Sequence, residues 1–141
     1  MINVFQPSLG DRELDAEREV FASNWIGRGE RTKTFEERFA RHIGVAPHHV
    51  TSTNSCTEAT FLAMELAGVG PGMDVVLPTV SFVGVGNAIA SRGARPVFCD
   101  VDPRTLNPTV ADVEAALTPR TRAVVLLHYG GYPGDVARIA E

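Results

Sequence analysis

Thr53-Asn54-Ser55-Cys56-Thr57-Glu58-Ala59-Thr60 follows the short β-branched run His49-Val50-Thr51-Ser52 and precedes the apolar helical pattern Phe61-Leu62-Ala63-Met64-Glu65-Leu66. A strand that breaks into small hydroxylated residues and then enters a helix makes a site for an anion. The first N–H groups of a helix lack intrahelical acceptors and carry the positive end of its dipole, while Ser and Thr hydroxyls add donors. Two readings of Ser55 and Thr57 follow: a cap for the helix's own N–H groups, or a cradle for a phosphate.

Outward from this turn the chain alternates. A strand is expected near His49–Thr53, then a helix over Ser55–Ala67, the turn Gly70-Pro71-Gly72 and a strand over Asp74–Leu77. A small-residue apolar helix (Phe82–Ser91) and the strand Arg95–Asp100 come next. Asn107-Pro108-Thr109 then opens a helix with Val110, Val113 and Leu117 on one face. The run Arg122–His128 is continuously apolar at its centre, as suits a strand covered on both faces, and Pro133 to Glu141 begins another helix. Strand–helix alternation predicts an α/β fold, a three-layer sandwich with a mostly parallel sheet and helices on both sides. Ligands of such sheets bind outside the carboxyl ends of the strands. That places the chemistry at Ser55–Thr57, Pro78–Phe82, Asp100–Asp102 and His128–Tyr132.

Upstream, residues 1–45 read as an N-terminal helical segment, and 46–141 as the α/β portion. Asp11 to Asn24 forms a first helix with Leu14, Val20 and Phe21 as its main apolar members. Trp25-Ile26-Gly27-Arg28-Gly29 breaks it, and a second helix starts near Thr32. Phe35, Phe39 and Ile43 recur every fourth residue and predict one buried stripe. Gly44 ends this helix.

With 141 residues, 44% apolar and 21% charged, the chain suits one compact domain with a real core. A net charge of −4 without a basic stripe argues against nucleic acid as a partner. Met1–Pro7 has no basic n-region or long apolar h-region, and no run of about 18 apolar residues offers a membrane span. The two cysteines, Cys56 and Cys99, lack metal spacing and form no disulfide framework. A cytoplasmic location with reduced thiols is the expectation.

The rival chemistries are thin. A nicotinamide-binding turn needs Gly-x-Gly-x-x-Gly, and the first strand–helix turn here reads Asn-Ser-Cys-Thr-Glu-Ala. The pairs Gly27/Gly29, Gly70/Gly72 and Gly130/Gly131 do not match it either. For a metal, His42 lies on the second helix, and the adjacent His48-His49 point in divergent directions. Asp102-Pro103-Arg104-Thr105 reads as a turn rather than half of an acid/base pair with Asp100. His128 ends a strand and is expected to face the same pocket as Thr57, as a functional or a structurally satisfied histidine. Phe82 lies just after a strand, where its ring can cover a flat ligand or start a core. Trp25 reads as a pocket or interface aromatic, or as a helix end folded onto the domain.

Taken in order, several of these segments resemble the DegT–DnrJ–StrS family of pyridoxal-phosphate-dependent sugar aminotransferases. They are Trp25–Gly29 with Phe35-Glu36, Asn54–Ala59, Gly70–Val76, Pro78–Val83, Gly93–Asp102 and Thr121–Gly131. The resemblance implies the large domain of the aspartate-aminotransferase type, PLP-transferase fold type I, here incomplete. It implies pyridoxal 5'-phosphate as cofactor, its phosphate held by Thr57 with the Ser55–Cys56 backbone and its ring stacked on Phe82. Trp25, Gly27, Arg28 and His128 would lie near the substrate or the boundary of a homodimer. The family moves an amino group, usually from glutamate, to a keto group on a nucleotide-linked sugar or cyclic polyol. That reaction needs a lysine joined covalently to the cofactor and an acid at the pyridine nitrogen, and both lie in the family downstream of the matching segment. The only lysine here is Lys33, which does not match that position. No catalytic residue is therefore assigned. The chain is expected to be the N-terminal part of such an enzyme, inactive alone or completed by a C-terminal chain. The alternative is a non-catalytic α/β module that binds a phosphate-bearing ligand or a partner chain.

Overall fold

A computed structural model of the chain describes residues 6–141; Met1–Phe5, read above for a leader, lie outside the described residues. The chain divides into two compact units, Met1–Ser52 and Thr53–Glu141.

The N-terminal unit holds α1 (Asp11–Ala22) and α2 (Glu30–Ile43). The Glu13 carboxylate reaches back to accept from the Gly10 N–H at 2.7 Å, which satisfies one of the orphan donors of α1. Helix α2 ends at Gly44, whose φ of 76° is the left-handed conformation that lets the Val45 N–H return to the Ala40 carbonyl at 2.9 Å. The expected stripe on α2 is not the buried one. Phe35, Phe39 and Ile43 remain 55%, 44% and 50% exposed, while Glu36 and Ala40, one position along, are buried. The periodicity is helical as predicted. No other described element of this unit covers the aromatic face, and the two rings stack on each other with centroids 5.9 Å apart.

The strand expected near His49–Thr53 does not form. Pro47–His49 makes a 3-10 turn, and Val50 is extended at φ −121°, ψ 127°. A strand is a strand only by pairing, and here the Ser52 N–H donates to the Glu36 carboxylate at 2.8 Å instead of to a neighbouring chain.

The second unit contains α3 (Cys56–Leu66), β1 (Asp74–Pro78), α4 (Val83–Ser91), β2 (Arg95–Cys99), α5 (Val110–Ala116), β3 (Thr121–Val124) and α6 (Val136–Ile139). The strand order is β2-β1-β3, with both pairings parallel. Every residue of β1 is buried. Val75 and Leu77 pack with Met64 of α3 and with Ala88 and Ile89 of α4, whereas Val76 packs on the opposite face with Cys99 and Val113 of α5. This two-residue alternation is what separates the helices into an upper and a lower layer around the sheet. The three-layer α/β expectation holds.

β3 departs from its expectation. The ladder covers only Thr121–Val124, with one further bond from the Val125 N–H to the Val76 carbonyl at 2.8 Å, and Ala123–Leu127 are half-buried. The strand has β1 on one side and no strand on the other among the described residues, and the run expected to be covered on both faces is only partly covered. A register shift between β1 and β3 leaves Arg122 unpaired, and its Nε donates to the Ala67 carbonyl at the end of α3 (2.7 Å), where a cation complements the helix dipole. Leu117, expected on the apolar face of α5, follows that helix as its cap and is exposed.

The amino-terminal edge of the sheet is tied by Asp74. Its buried carboxylate accepts both Arg95 nitrogens at 2.9 and 2.8 Å, the Thr118 hydroxyl at 2.6 Å and Arg120 Nη2 at 3.3 Å. The Arg95 hydrogen bonds foremost, then that of Thr118, hold its pKa down to about 2 from the ordinary 3.8. A depressed carboxylate pKa contributes stability that is complete above the unfolded value and lost as pH falls through the folded one. Acid unfolding of the purified chain is therefore expected to steepen between pH 3.8 and about 2. Asp74→Asn should flatten that segment and lower the midpoint at pH 7, as read by circular dichroism. An unchanged acid limb in Asp74→Asn would show that other groups set it.

Candidate functional site

The carboxyl ends of β1 and β2 are joined beyond the ladder, because the Thr79 N–H donates to the Cys99 carbonyl at 3.0 Å. Two helices start near this end of the unit. At the first, Ser55 is extended (φ −159°, ψ 156°) and its Oγ accepts from the Glu58 N–H at 3.1 Å, a side-chain cap on α3. The Thr53 hydroxyl donates to the Ser55 carbonyl at 2.9 Å and so fixes the turn from within. Cys56 and Thr57 follow as the first two helical residues, and their N–H groups have no carbonyl one turn back to receive them. The Thr57 hydroxyl enters no hydrogen bond among the described residues, and Cys56 is an exposed free thiol.

The second start is Phe82, the residue before α4. Its ring is displayed, with the residue 64% exposed, and it folds over Gly84. A Cβ at Gly84 would stand 2.7 Å from Phe82 Cε1, 2.9 Å from Cδ1 and 3.4 Å from the Thr57 methyl. Phe82 and Thr57 thus share one buried glycine. Two of the sequence-predicted ligand residues are brought together at one spot, and the sequence did not single out the third member, Gly84. Its signal was the Gly84-Val85-Gly86 pair of glycines inside an otherwise good helix, where glycine costs about 1 kcal/mol against alanine and calls for a packing reason.

His128 belongs to the same unit. It follows the edge strand, is exposed, and its Nδ1 accepts the Gly134 N–H at 3.1 Å, which leaves the proton of the neutral ring on Nε2. No hydrogen bond joins it to Ser55, Thr57 or Phe82 among the described residues. The loop carrying it is secured by Asn107, whose Nδ2 donates to the Tyr132 and Thr105 carbonyls at 3.1 and 3.3 Å.

Trp25, Gly27 and Arg28 belong to the N-terminal unit and form a folded turn there. The indole Nε1 donates to the Arg28 carbonyl at 3.1 Å, and the ring lies so close to Gly29 that a Cβ there would meet it at 2.8 Å. Arg28 Nη2 donates to Glu36 Oε2 at 2.7 Å, while Glu36 Oε1 accepts the Ser52 N–H and hydroxyl at 2.8 and 2.9 Å. The backbone bond from Ser52 first, and the Arg28 bond second, hold Glu36 down to a pKa of about 2 from 4.5. The sequence reading names Glu36 only within the segment Phe35-Glu36 and gives it no role of its own, since a glutamate on a helix looks solvated until its distant partners are known. Lys33 lies exposed on α2 with Glu37 Oε1 4.0 Å away. Among the described residues, no three His, Cys, Asp or Glu side chains come together in a cluster that could hold a metal.

A parallel α/β sandwich with a hydroxylated helix mouth and an exposed aromatic ring sharing one glycine has the architecture of a pyridoxal-phosphate-dependent transferase of fold type I. Residues 7–141 match the DegT/DnrJ/EryC1/StrS aminotransferase family, and the chain belongs to it. It is 64% identical over all 141 residues to the dTDP-4-dehydro-2,3,6-trideoxy-D-glucose 4-aminotransferase of Saccharopolyspora spinosa, of which it covers 37%. The crystal structure of the aminotransferase TlmJ from Streptoalloteichus hindustanus superimposes with a TM-score of 0.93 at 68% identity, over 99% of this chain and 38% of that one. The chain therefore spans little more than a third of the length of these relatives. The family's cofactor is pyridoxal 5'-phosphate. Spr1654 from Streptococcus pneumoniae, 26% identical with a TM-score of 0.83 over 99% of this chain and 35% of its own, is solved in its PLP form.

The residues present fit that group. A phosphate would find the N–H groups of Cys56 and Thr57, the positive end of an eleven-residue helix and a hydroxyl with no hydrogen bond among the described residues. A flat ring finds Phe82. Gly84→Ala should separate this geometry from the fold. Helical content should be kept, as alanine favours a helix by about 1 kcal/mol, but the added methyl displaces the Phe82 ring. Affinity for pyridoxamine 5'-phosphate is then expected to fall about tenfold with an unchanged circular dichroism spectrum; equal affinity would remove Gly84 from the site.

Proposed function

We propose that this chain supplies the phosphate- and ring-binding part of a sugar aminotransferase that moves an amino group, from glutamate, onto the keto group of a nucleotide-linked sugar. The observation that carries the reading is the meeting of Thr57 and Phe82 over Gly84 at the helix mouths. The name of the S. spinosa relative, at 64% identity, supports a thymidine-diphosphate-linked 4-keto sugar as the acceptor.

When bound, pyridoxal phosphate supplies the electron sink and carries the amino group between donor and acceptor. The chain's own residues hold and orient. The N–H groups of Cys56 and Thr57 and the Thr57 hydroxyl bind the phosphate, and the Ser55 cap keeps the helix mouth open towards it. The Phe82 ring covers one face of the pyridine and excludes water from it. Trp25, Gly27 and Arg28 are assigned to the substrate side or to the boundary of a homodimer, with His128 as a weaker candidate. The lysine for covalent attachment and the acid at the pyridine nitrogen are assigned to protein other than these 141 residues, in the same polypeptide or in a complementing chain. Lys33 is not that lysine: it extends from α2 opposite Glu37. A cytoplasmic setting belongs to the same reading. The second reading, a non-catalytic module for a phosphate-bearing ligand, keeps the Thr57 site and is favoured by this placement of Lys33.

The test is a titration of the purified chain with pyridoxamine 5'-phosphate, which needs no lysine, against pyridoxamine. Phosphate-dependent binding is expected. Thr57→Ala should weaken it about 10-fold or more, since a hydrogen bond to a charged group contributes about 1.5–3 kcal/mol. Borohydride treatment with pyridoxal phosphate should leave Lys33 unlabelled, and Lys33→Arg should bind as the parent does. Equal affinity for the two ligands would refute the phosphate site, and specific labelling of Lys33 would refute the assignment of the lysine elsewhere.

A further inference from the structure

Asn107 carries, among the described residues, the one buried side-chain polar atom without a hydrogen-bond partner, its carbonyl oxygen Oδ1. The residue is 4% exposed, and a buried carbonyl left without a donor is costly, so the orphan calls for a reason. Turning the amide over would not cure it. Nδ2 donates to the Tyr132 and Thr105 carbonyls at 3.1 and 3.3 Å, and an oxygen in its place would face two acceptors. The donor that Oδ1 lacks is close at hand. Pro133 has no N–H, so the next main-chain donor after Tyr132 is that of Gly134. The Gly134 main chain already packs on the amide: a Cβ there would stand 3.5 Å from Oδ1. Its N–H, however, is given to His128 Nδ1 at 3.1 Å. One donor stands between two acceptors, and the one it has taken is an imidazole.

We propose that His128, Gly134 and Asn107 form a pH-sensitive latch on the Tyr129–Asp135 loop. A neutral imidazole has one bare nitrogen that can accept; an imidazolium carries a proton on both and can only donate. A solvent proton taken up at Nδ1 therefore evicts the Gly134 N–H, which turns to Asn107 Oδ1 and fills the orphan. The loop allows that turn, because Gly130 and Gly131 are left-handed at φ 60° and 79° and Gly134 has no side chain to carry through the contact. Histidine is the side chain whose charge ordinarily changes between about pH 5 and 8. The other titratable or charged groups around the loop are Tyr129, Tyr132, Asp135 and Arg138 on its own stretch, Asp100, Asp102 and Arg104 after β2, and Asp112 on α5. Asp135 pairs with Arg138 and Asp102 with Arg104, each at 3.2 Å, and the Thr109 hydroxyl donates to Asp112 at 2.6 Å. Hydrogen bonds from Arg104 and from Thr109 hold Asp102 and Asp112 below the usual carboxylate range, so both stay charged throughout. None of these groups bonds to the imidazole among the described residues. With the latch closed, Nδ1 is tied to the loop; with it open, the exposed ring is cationic and both its N–H groups are free for an anion. The inference stands apart from the pyridoxal-phosphate reading.

The experiment follows the Gly134 amide and the His128 ring by NMR as the purified chain is taken down from about pH 8 until the ring is protonated. A scalar coupling across the hydrogen bond from Gly134 N to His128 Nδ1 is expected at the higher pH and absent once the ring is charged. Protection of the Gly134 amide from hydrogen exchange is expected to persist within about threefold, because the donor changes acceptor rather than entering water. His128→Phe removes the first acceptor from an exposed position, and its Gly134 amide should stay protected throughout. Asn107→Ala should keep that protection at the higher pH and lose it about tenfold or more at the lower. A parent whose Gly134 protection falls about tenfold on acidification, or a folded His128→Phe whose Gly134 amide is unprotected, would show that Asn107 does not receive the donor and would overturn the latch. So would a coupling to Nδ1 that survives protonation of the ring. Where Asn107→Ala, or the parent in acid, fails to fold, His128→Phe at about pH 8 decides alone. The readout is one amide, so the titration of His42, His48 and His49 does not enter it.

Discussion

Asp74 is the point on which the sheet is assembled. A carboxylate at 1% exposure is tolerated only when every lone pair is engaged, and its partners come from two other places in the chain. Arg95 opens β2, Thr118 and Arg120 precede β3, and Asp74 itself opens β1. One ion cluster therefore gathers the starts of all three strands. It also sets register, because Asp74 and Arg95 are direct partners in the parallel ladder. In a parallel sheet, aligning the starts aligns the ends. The carboxyl ends of β1 and β2 then emerge together, as the bond from Thr79 to the Cys99 carbonyl records. The stretch between β1 and α4 turns there, with Phe82 at the entry to the helix. In the proposed reading, binding at one end of the unit would depend on a salt-bridged anchor at the other.

What the sequence displayed is what local chemistry decides. Ser55 reads as a cap and caps; Thr57 and Phe82 stand at helix mouths because a strand, a small polar turn and an apolar periodic run force that order. The parallel sandwich is equally visible, since alternating strands and helices have few other ways to bury their faces. What it concealed is set by partners far away in the chain. The run after Arg122 is as apolar as a strand covered on both faces, yet it is only half-buried, and composition cannot report what covers a strand. The stretch before Thr53 has strand-like residues but pairs with a side chain. Glu36 is hidden for the same reason, its partners being eight and sixteen residues off. Gly84 was visible as a letter and not as a contact, because the ring it accommodates arrives through the fold of one turn.

Exposed apolar groups carry a related lesson. Leu14, Phe21 and Ile26, with the Phe35–Phe39 pair, leave much apolar surface exposed on the described part of the N-terminal unit. Periodicity fixes which side of a helix is apolar; it does not say what covers it. In the proposed enzyme those faces and the open edge of β3 are where further protein packs. The same proposal makes the site a composite: this chain grips the cofactor at its phosphate and over one face of its ring.

The two carboxylates with strongly shifted pKa values, Glu36 and Asp74, are anchors, and neither belongs to the group that would touch the ligand. Shifted titration is often a guide to catalytic centres, because an acid or base must be tuned to its task. Here the guide points elsewhere for a physical reason. Gripping a phosphate and a flat ring calls for fixed dipoles, a hydroxyl and an aromatic face, none of which titrates in the working range, while the reactive electronics come with the cofactor. The binding part of such a site is recognised by steric evidence instead. In this chain that evidence is a buried glycine with no room for a methyl beneath an exposed phenylalanine, beside a threonine at the mouth of a helix.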